Sequence, residues 1–454
     1  MAYNRREINK EIYRLIIPMI VENILQISAG LITTAMIGRL LPLDISAQGI
    51  CIRITDTLWC LYKGVAIGAT VLVAHSYGAG KRGRCRRIIE QTFLTEVPLS
   101  LLFQMVLFFF GIPILGFFTK ETAVLNLAQE YMRIIVFGFP FLVIMSVVSA
   151  AFQGFGDTKT PMYIALFMNG ANIILGYLLI FGLPGMPGFG IRGAAAALVL
   201  SQFLGACAGL FLLYDRKRGL FRDVPRENAF FSLEGKTVYE VYTMGIPAAL
   251  ESMFWQFSAI ILSKVILSYG EASFAAYQLG IQAETITEMP AVGFGTAATT
   301  LAARAVGKRD EELGSIYFKQ LLKTAFRISA VTSMLLIFLP KGFMMLMTNN
   351  PELQIIGMSY VFIMGFIQVP QNLSRVYNGT IRAAGYKNVP MFVAGFGIWI
   401  VRIPLCLLIA YVWKGSITWI WLVIAMDQLS RFLLSVFLYK KIGRKPKIGI
   451  HAGT

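Results

Sequence analysis

Long apolar blocks alternate along the chain with short, polar and mostly basic connections. A helix rises about 1.5 Å per residue, so about 20 apolar residues cross the roughly 30 Å of hydrocarbon in a bilayer. That length predicts twelve spans, at 12–38, 54–78, 91–117, 123–150, 161–183, 191–214, 238–267, 274–303, 315–341, 353–379, 389–412 and 417–440. The blocks are too long and too uniformly apolar for barrel strands, so the expected class is an all-α polytopic membrane protein.

The connections orient the spans. With the N-terminus inside, the inner segments carry most of the basic residues, including Lys81, Arg82, Arg84, Arg86 and Arg87 after the second span and Arg304, Lys308 and Arg309 after the eighth. The outer segments hold only Arg39, Arg53, Lys120, Lys341 and Lys414. That asymmetry predicts cytoplasmic termini at both ends. The longest connection, 215–237, falls at the midpoint and reads as a cytoplasmic linker between six-helix bundles at 1–214 and 238–454. The Gly/Pro-rich outer loop 181–191 is expected to turn tightly.

The two halves repeat. IPMIVE at 17–22 returns as IPAALE at 246–251, which pairs Pro18 with Pro247 and Glu22 with Glu251. The run from Gly68 through Gly80 to Arg82 corresponds to that from Gly295 through Gly307 to Arg309. GDTKTPM, from Gly156 through Pro161, corresponds to GYKNVPM, from Gly385 through Pro390. Six spans separate the copies, so the repeats are parallel and related by an axis along the membrane normal. Two such bundles are expected to enclose a cleft that rocking exposes to alternate sides.

Composition agrees and removes other classes. Of 454 residues, 56% are hydrophobic and 14% charged, where soluble chains carry about 25% charged. The formal net charge of +17 is accounted for by the basic connections, so no nucleic-acid partner is expected. Five cysteines without a CxxC pair and two histidines, His75 and His451, support neither a disulfide framework nor a metal centre. No cleavable leader is expected, because the first apolar run is too long and lacks a small-residue cleavage site. HExxH, GxSxG and Walker signatures are absent, so the chain does not read as an enzyme.

Charges at membrane depth are costly and point to function. Glu22 and Glu251 each follow a proline by four residues, near enough the cytoplasmic third of the bilayer to cap or pair structurally; alternatively they serve function, and Trp255 and Gln256 give Glu251 an aromatic and polar face suited to an organic cation. Glu284 and Glu288 share a face of the eighth span near Gln278, Gln282 and Thr285; they can share a proton, attract a cation, or be neutralised by a basic neighbour. Asp427 and Arg431, spaced i,i+4, read as an intrahelical ion pair. Asp56, Lys63, Lys264 and Arg402 are placed to snorkel towards an interface. Arg375 lies deeper and is expected to cross-link helices. Asn169 and Asn172 face one way, to bind ligand or to tie helices together. Gly193 to Ala197 permits close helix packing, and Pro370 predicts a kink in the tenth span.

These motifs resemble the multidrug and toxic compound extrusion (MATE) transporters of the multidrug/oligosaccharidyl-lipid/polysaccharide flippase superfamily. The resemblance runs over essentially the whole chain: Pro18 to Glu22 and Asn23, Gly38-Arg39, the stretch from Gln153 to Met162, GIRGAAAA at 190–197, and PAVGFGTAATTLAARAVG at 290–307. It implies a two-bundle antiporter exporting organic, often cationic, compounds against sodium ions or protons, with an ion site in the N-terminal bundle. There this chain departs from the pattern. Thr33 stands at the acidic position of the first span, with Thr34 after it; Asn172 is kept, but Gly176 replaces the Asp four residues on; Leu198 replaces a frequent Thr; and Trp255 occupies the nearest place to the acidic residue of another branch. Thr33, Thr34 and Asn172 offer neutral oxygens and take up no proton. Coupling would then need Glu22, Asp56, Glu251, Glu284 or Glu288.

The expected function is ion-coupled export of amphipathic organic cations or drugs by a monomer in the bilayer of the cell inner (plasma) membrane. No cofactor or metal is expected beyond a coupling sodium ion or proton. The alternatives are a flippase for a lipid or lipid-linked glycan, whose phosphates would require Arg or Lys such as Arg375 and Arg402, and a non-transporting sensor or scaffold.

Overall fold

The computed structural model describes residues 5–40, 42–119, 121–183, 186–215, 217, 219–224 and 232–443. Parts of the 215–237 linker and the basic tail from Arg444 onward lie outside the described residues. The long helices are α1 (Arg5–Ile37), α2 (Pro42–Gly78), α3 (Arg82–Gly116), α4 (Thr122–Gly154, with a 3-10 turn at Val136–Gly138), α5 (Lys159–Phe181) and α6 (Gly190–Tyr214). They continue as α7 (Gly235–Leu267), α8 (Glu271–Lys308), α9 (Glu311–Phe338), α10 (Pro351–Ala383), α11 (Asn388–Trp413) and α12 (Ile417–Leu438). Each coincides with one predicted span. The helices outrun the apolar blocks at several ends; α3, for example, starts at Arg82 rather than 91.

Eleven of the helices are long and apolar enough to cross a membrane. The exception is α8, predicted as an apolar span at 274–303. It carries Glu284, Glu288, Gln278 and Gln282, and its carboxylates are answered by side chains of other helices, so it need not be apolar throughout. A short helix, Pro340–Met347, follows α9; the span-length criterion missed it, and its Met344 is fully buried. In the loop at 181–191, Gly182–Leu183 and Met186–Pro187 pair as antiparallel two-residue strands with Gly182 opposite Pro187, and the expected turn between them, at 184–185, lies outside the described residues.

Local chemistry accounts for the repeated motifs. In GDTKTP, Gly156 takes a positive φ and Asp157 accepts hydrogen bonds from Lys159 N at 3.0 Å and Thr160 N at 3.2 Å, which starts α5. Gly385 opens the equivalent corner with a positive φ, and Gly80 after α2 and Arg309 after α8 also take positive φ. Asp310 caps α9 through Leu313 N, and Asn350 caps α10 through Glu352 N.

By packing, the chain forms two compact units, Val21–Ile246 and Met1–Ile20 with Pro247–Thr454. The boundaries fall inside α1 and α7, next to Pro18 and Pro247. In the first unit the opening segment of α7 lies directly on α2. A Cβ on Gly68 would come within 2.7 Å of both Gly245 N and Val241 O, and one on Gly245 within 2.6 Å of Val65 Cα. Gly193 approaches the Leu179 carbonyl in the same way, as the run of small residues led us to expect. The base of α7 is also tied to α3: Arg84 bonds Glu240 at 2.7 Å, and Gln91 exchanges hydrogen bonds with Ser232 O (2.7 Å) and Glu234 N (2.8 Å).

The second unit repeats the arrangement with α1. Ile8, Ile12, Leu15 and Ile16 join Phe294, Ala297, Leu301 and Tyr317 in one core cluster, and Glu11 accepts from Tyr317 Oη at 2.7 Å and pairs with Arg304.

Backbone contact at Gly68 leaves no room for a side chain. Gly68→Val is expected to cost about 1–3 kcal/mol or more and to lower the melting temperature in detergent by several degrees. Gly170→Ala, at a position with nothing within 4 Å, is expected to leave it unchanged.

Candidate ion-coupling and substrate site

The second unit holds a network of buried ion pairs built from α7, α8, α10, α11 and α12. Asp427, with 0% of its surface exposed, accepts from Nε and Nη2 of Arg431 at 2.7 and 2.6 Å and pairs with a second guanidinium, Arg402, at 2.7 Å. The intrahelical pair expected from the sequence is therefore present, but within a larger cluster. Arg402 does not snorkel. It lies in a π-helical stretch, Phe396–Arg402, where the wider turn changes the direction of the side chains. A Cβ on Gly397 of that stretch would collide with Asp427 and Arg431, so the absence of a side chain there makes room for the pair. Trp255 of α7 stacks under both cations, 4.9 Å from the Arg402 guanidinium and 4.2 Å from that of Arg431. The Trp255 face expected to receive an organic cation is thus engaged by the protein's own arginines.

The other predicted carboxylates in this unit also have partners. Glu251 accepts from Arg382 at 2.5 Å. Glu288 pairs with Arg375 and accepts from Gln371 at 2.9 Å, so Arg375 cross-links α10 to α8 as expected. Glu284 accepts from Tyr360 Oη at 2.6 Å, and Tyr360 sits edge-on to Tyr277 and Trp421. Although Glu284 and Glu288 share a helix face, each is bonded elsewhere. Gln256 and Gln278 are half-buried, and Gln282 is exposed.

In the first unit the neutral positions do come together. Asn172 donates to Thr33 Oγ1 at 3.1 Å, while Thr33 donates to the Ala29 carbonyl at 3.0 Å. The Asn172 carbonyl oxygen and the Asn169 amide nitrogen are buried without a hydrogen-bond partner. Thr34 is half-buried and adds only its carbonyl, to Gly38 N at 2.9 Å. A Cβ at Gly176 would meet only Met36 Sδ, at 3.6 Å, so nothing fills the space of the missing carboxylate. Glu22 and Asp56 lie within electrostatic reach of Lys63, and Asp56 also of Arg53.

One carboxylate was not predicted. Glu96 of α3 is 0% exposed, and neither of its oxygens has a hydrogen-bond partner. It lies within the predicted span 91–117, on the helix that starts at Arg82. A glutamate two residues before Pro98 in an otherwise apolar stretch was the available signal.

The MatE family profile matches residues 18–178 and 247–408, one match in each half. The probable multidrug resistance protein NorM of Thermotoga maritima is 28% identical over 436 residues, covering 95% of this chain and 92% of that protein. The probable multidrug resistance protein YoeA of Bacillus subtilis is 24% identical over 438 residues, covering 95% and 94%. Among solved structures, a MATE protein in the straight conformation superposes with a TM-score of 0.88 at 19% identity, covering 96% of both chains. A MOP superfamily transporter from Pyrococcus furiosus superposes with a TM-score of 0.83 at 20% identity, covering 96% of this chain and 95% of that one.

Removing Asp427 would leave two buried guanidiniums facing each other. Asp427→Ala is expected to cost about 3–5 kcal/mol, seen as a loss of monodisperse protein and a much lower melting temperature. Gly397→Ala, which displaces the same pair sterically, is expected to lower it as well.

Proposed function

The chain belongs to the MatE family of membrane transporters, and from that premise we propose that it is a secondary active antiporter exporting amphipathic organic cations or drugs in exchange for protons or sodium ions. The observation that carries this reading is the charge balance inside the second unit. All four arginines of α10 to α12, Arg375, Arg382, Arg402 and Arg431, are held by Glu288, Glu251 and Asp427, with Glu284 close to Arg375 and Arg402. A flippase for a lipid or lipid-linked glycan needs spare guanidiniums to hold phosphate, and these are committed. The names of the Thermotoga and Bacillus relatives point the same way.

Transport proceeds by alternating access as the two repeat-related bundles, 1–214 and 238–454, rock about the linker. The coupling ion biases the return step because it binds one state better than the other. Exchange of ion for substrate requires a group that changes charge or coordination. Thr33, Asn172 and Gly176 provide no carboxylate, and Glu251, Glu284 and Glu288 are already bonded, so these three act as scaffold and coupling is carried elsewhere. The basic connections support cytoplasmic termini at both ends, and the long apolar helices support a place in the cell inner membrane.

Purified protein in sealed liposomes tests this reading. Uptake of a fluorescent organic cation is expected to be driven by an imposed proton or sodium gradient and to collapse when an ionophore dissipates that gradient. Absence of driven uptake beside an active control transporter, together with translocation of a fluorescent phospholipid, would replace export by flipping.

A further inference from the structure

Glu96 is fully buried with no bonded donor, whereas the buried Glu284 and Asp427 and the half-buried Glu251 and Glu288 each have one. An ionised carboxylate in that position would be desolvated with nothing in return, a cost of many kcal/mol that a bound proton removes. The groups facing Glu96 are phenols: Tyr62 from α2 and Tyr242 from the opening segment of α7, which act electrostatically on it and on one another. The Tyr62 hydroxyl is itself buried without a partner. Val97, the next residue of α3, packs against apolar clusters, one of which includes Val136, Phe139 and Val143 of α4. Tyr131 of α4 turns its phenol towards Gln48 and Cys51, and Asp56 and Lys63 of α2 act on each other.

Polar groups lead from this carboxylate along α3 to its basic end. Tyr242 is hydrogen-bonded to Thr95, Thr95 donates to the Gln91 carbonyl at 3.0 Å, and the Gln91 side chain is bonded to Ser232 and Glu234 at the base of α7. The rest of the helix beyond Glu96 is mainly aliphatic and aromatic. The carboxylate therefore stands at the inner end of a polar stripe, beside the α7 segment that ends at Pro247.

We propose that Glu96 is the site where the coupling proton is taken up and released, so that the coupling ion is a proton; this rests on the antiport reading above. On uptake an O–H bond forms at the carboxylate and hydronium is left as water. Release reverses that single step, and no other bond changes. The proton is held in the arrangement seen here, where Glu96, Tyr62 and Tyr242 are closed together. It leaves when the α3–α7 contact loosens and water reaches the carboxylate.

The test pairs infrared titration with transport, using Glu96→Gln, whose amide is close in shape to the protonated acid, and Glu96→Asp in case the amide impairs folding. In purified wild type, a protonated-carboxyl stretch is expected to titrate with pH and to be lost in Glu96→Gln. In liposomes, Glu96→Gln is expected to keep substrate counterflow without a gradient and to lose accumulation driven by a pH gradient. Glu96→Asp is expected to retain driven uptake with a shifted pH profile. Driven uptake that survives in Glu96→Gln, or a titrating band unchanged by both variants, would overturn the proposal while leaving export intact. If wild type moves no organic cation, the antiport reading fails, and the infrared band alone then decides whether Glu96 binds a proton.

Discussion

A charge inside a membrane protein has to be answered by a counter-charge, by hydrogen bonds or by a proton, and most of the polar architecture here follows from that requirement. In the second unit counter-charges answer it. Asp427 binds two guanidiniums, Trp255 covers both, and Gly397 gives up its side chain so that the pair fits against the backbone. Arg375 and Arg382 are matched to Glu288 and Glu251 on neighbouring helices. Such a network fixes helix positions and is a poor place for a group that must change charge during a cycle, because every proton added would leave an unpaired guanidinium.

The first unit answers the same requirement differently. Where the family resemblance implies carboxylates on α1 and α5, Thr33 and Asn172 are hydrogen-bonded to each other and the space beside Gly176 is open. Among the described carboxylates of that unit Glu96, on α3, is the one buried with neither oxygen hydrogen-bonded, and Tyr242 of the α7 segment pressed against α2 at Gly68 and Gly245 lies within its electrostatic reach. A proton at Glu96 would thus be sensed by the helix that passes through Pro247 into the other unit.

Much of this could be read from the residues. Block length located every long helix, the Pro18 and Pro247 repeat paired the halves, and Asp157 and Gly156 marked a corner whose chemistry is local. Arg375 was identifiable because a deep charge must be neutralised from a neighbouring helix, and the Asp427–Arg431 pair because i,i+4 spacing brings opposite charges within reach on one face. Tertiary contacts decided the rest. Arg402 was misplaced because a π-helical turn, invisible in the spacing of residues, redirects its side chain. The face of Trp255 was open in a one-helix view and is covered once α11 and α12 arrive. Glu96 lay inside a predicted span, but only the packing of neighbouring helices reveals that neither of its oxygens finds a donor. The carboxylates of α8 are tolerated because Tyr360, Gln371 and Arg375 of α10 bond them, which a one-helix view does not show.

If one carboxylate links proton and substrate occupancy, the linkage is reciprocal. Adding an organic cation to detergent-solubilised protein in weakly buffered solution, followed with a pH indicator, then releases protons. Release is expected in wild type and in Glu251→Gln, and none in Glu96→Gln. Release that persists without Glu96, or disappears without Glu251, would contradict that linkage.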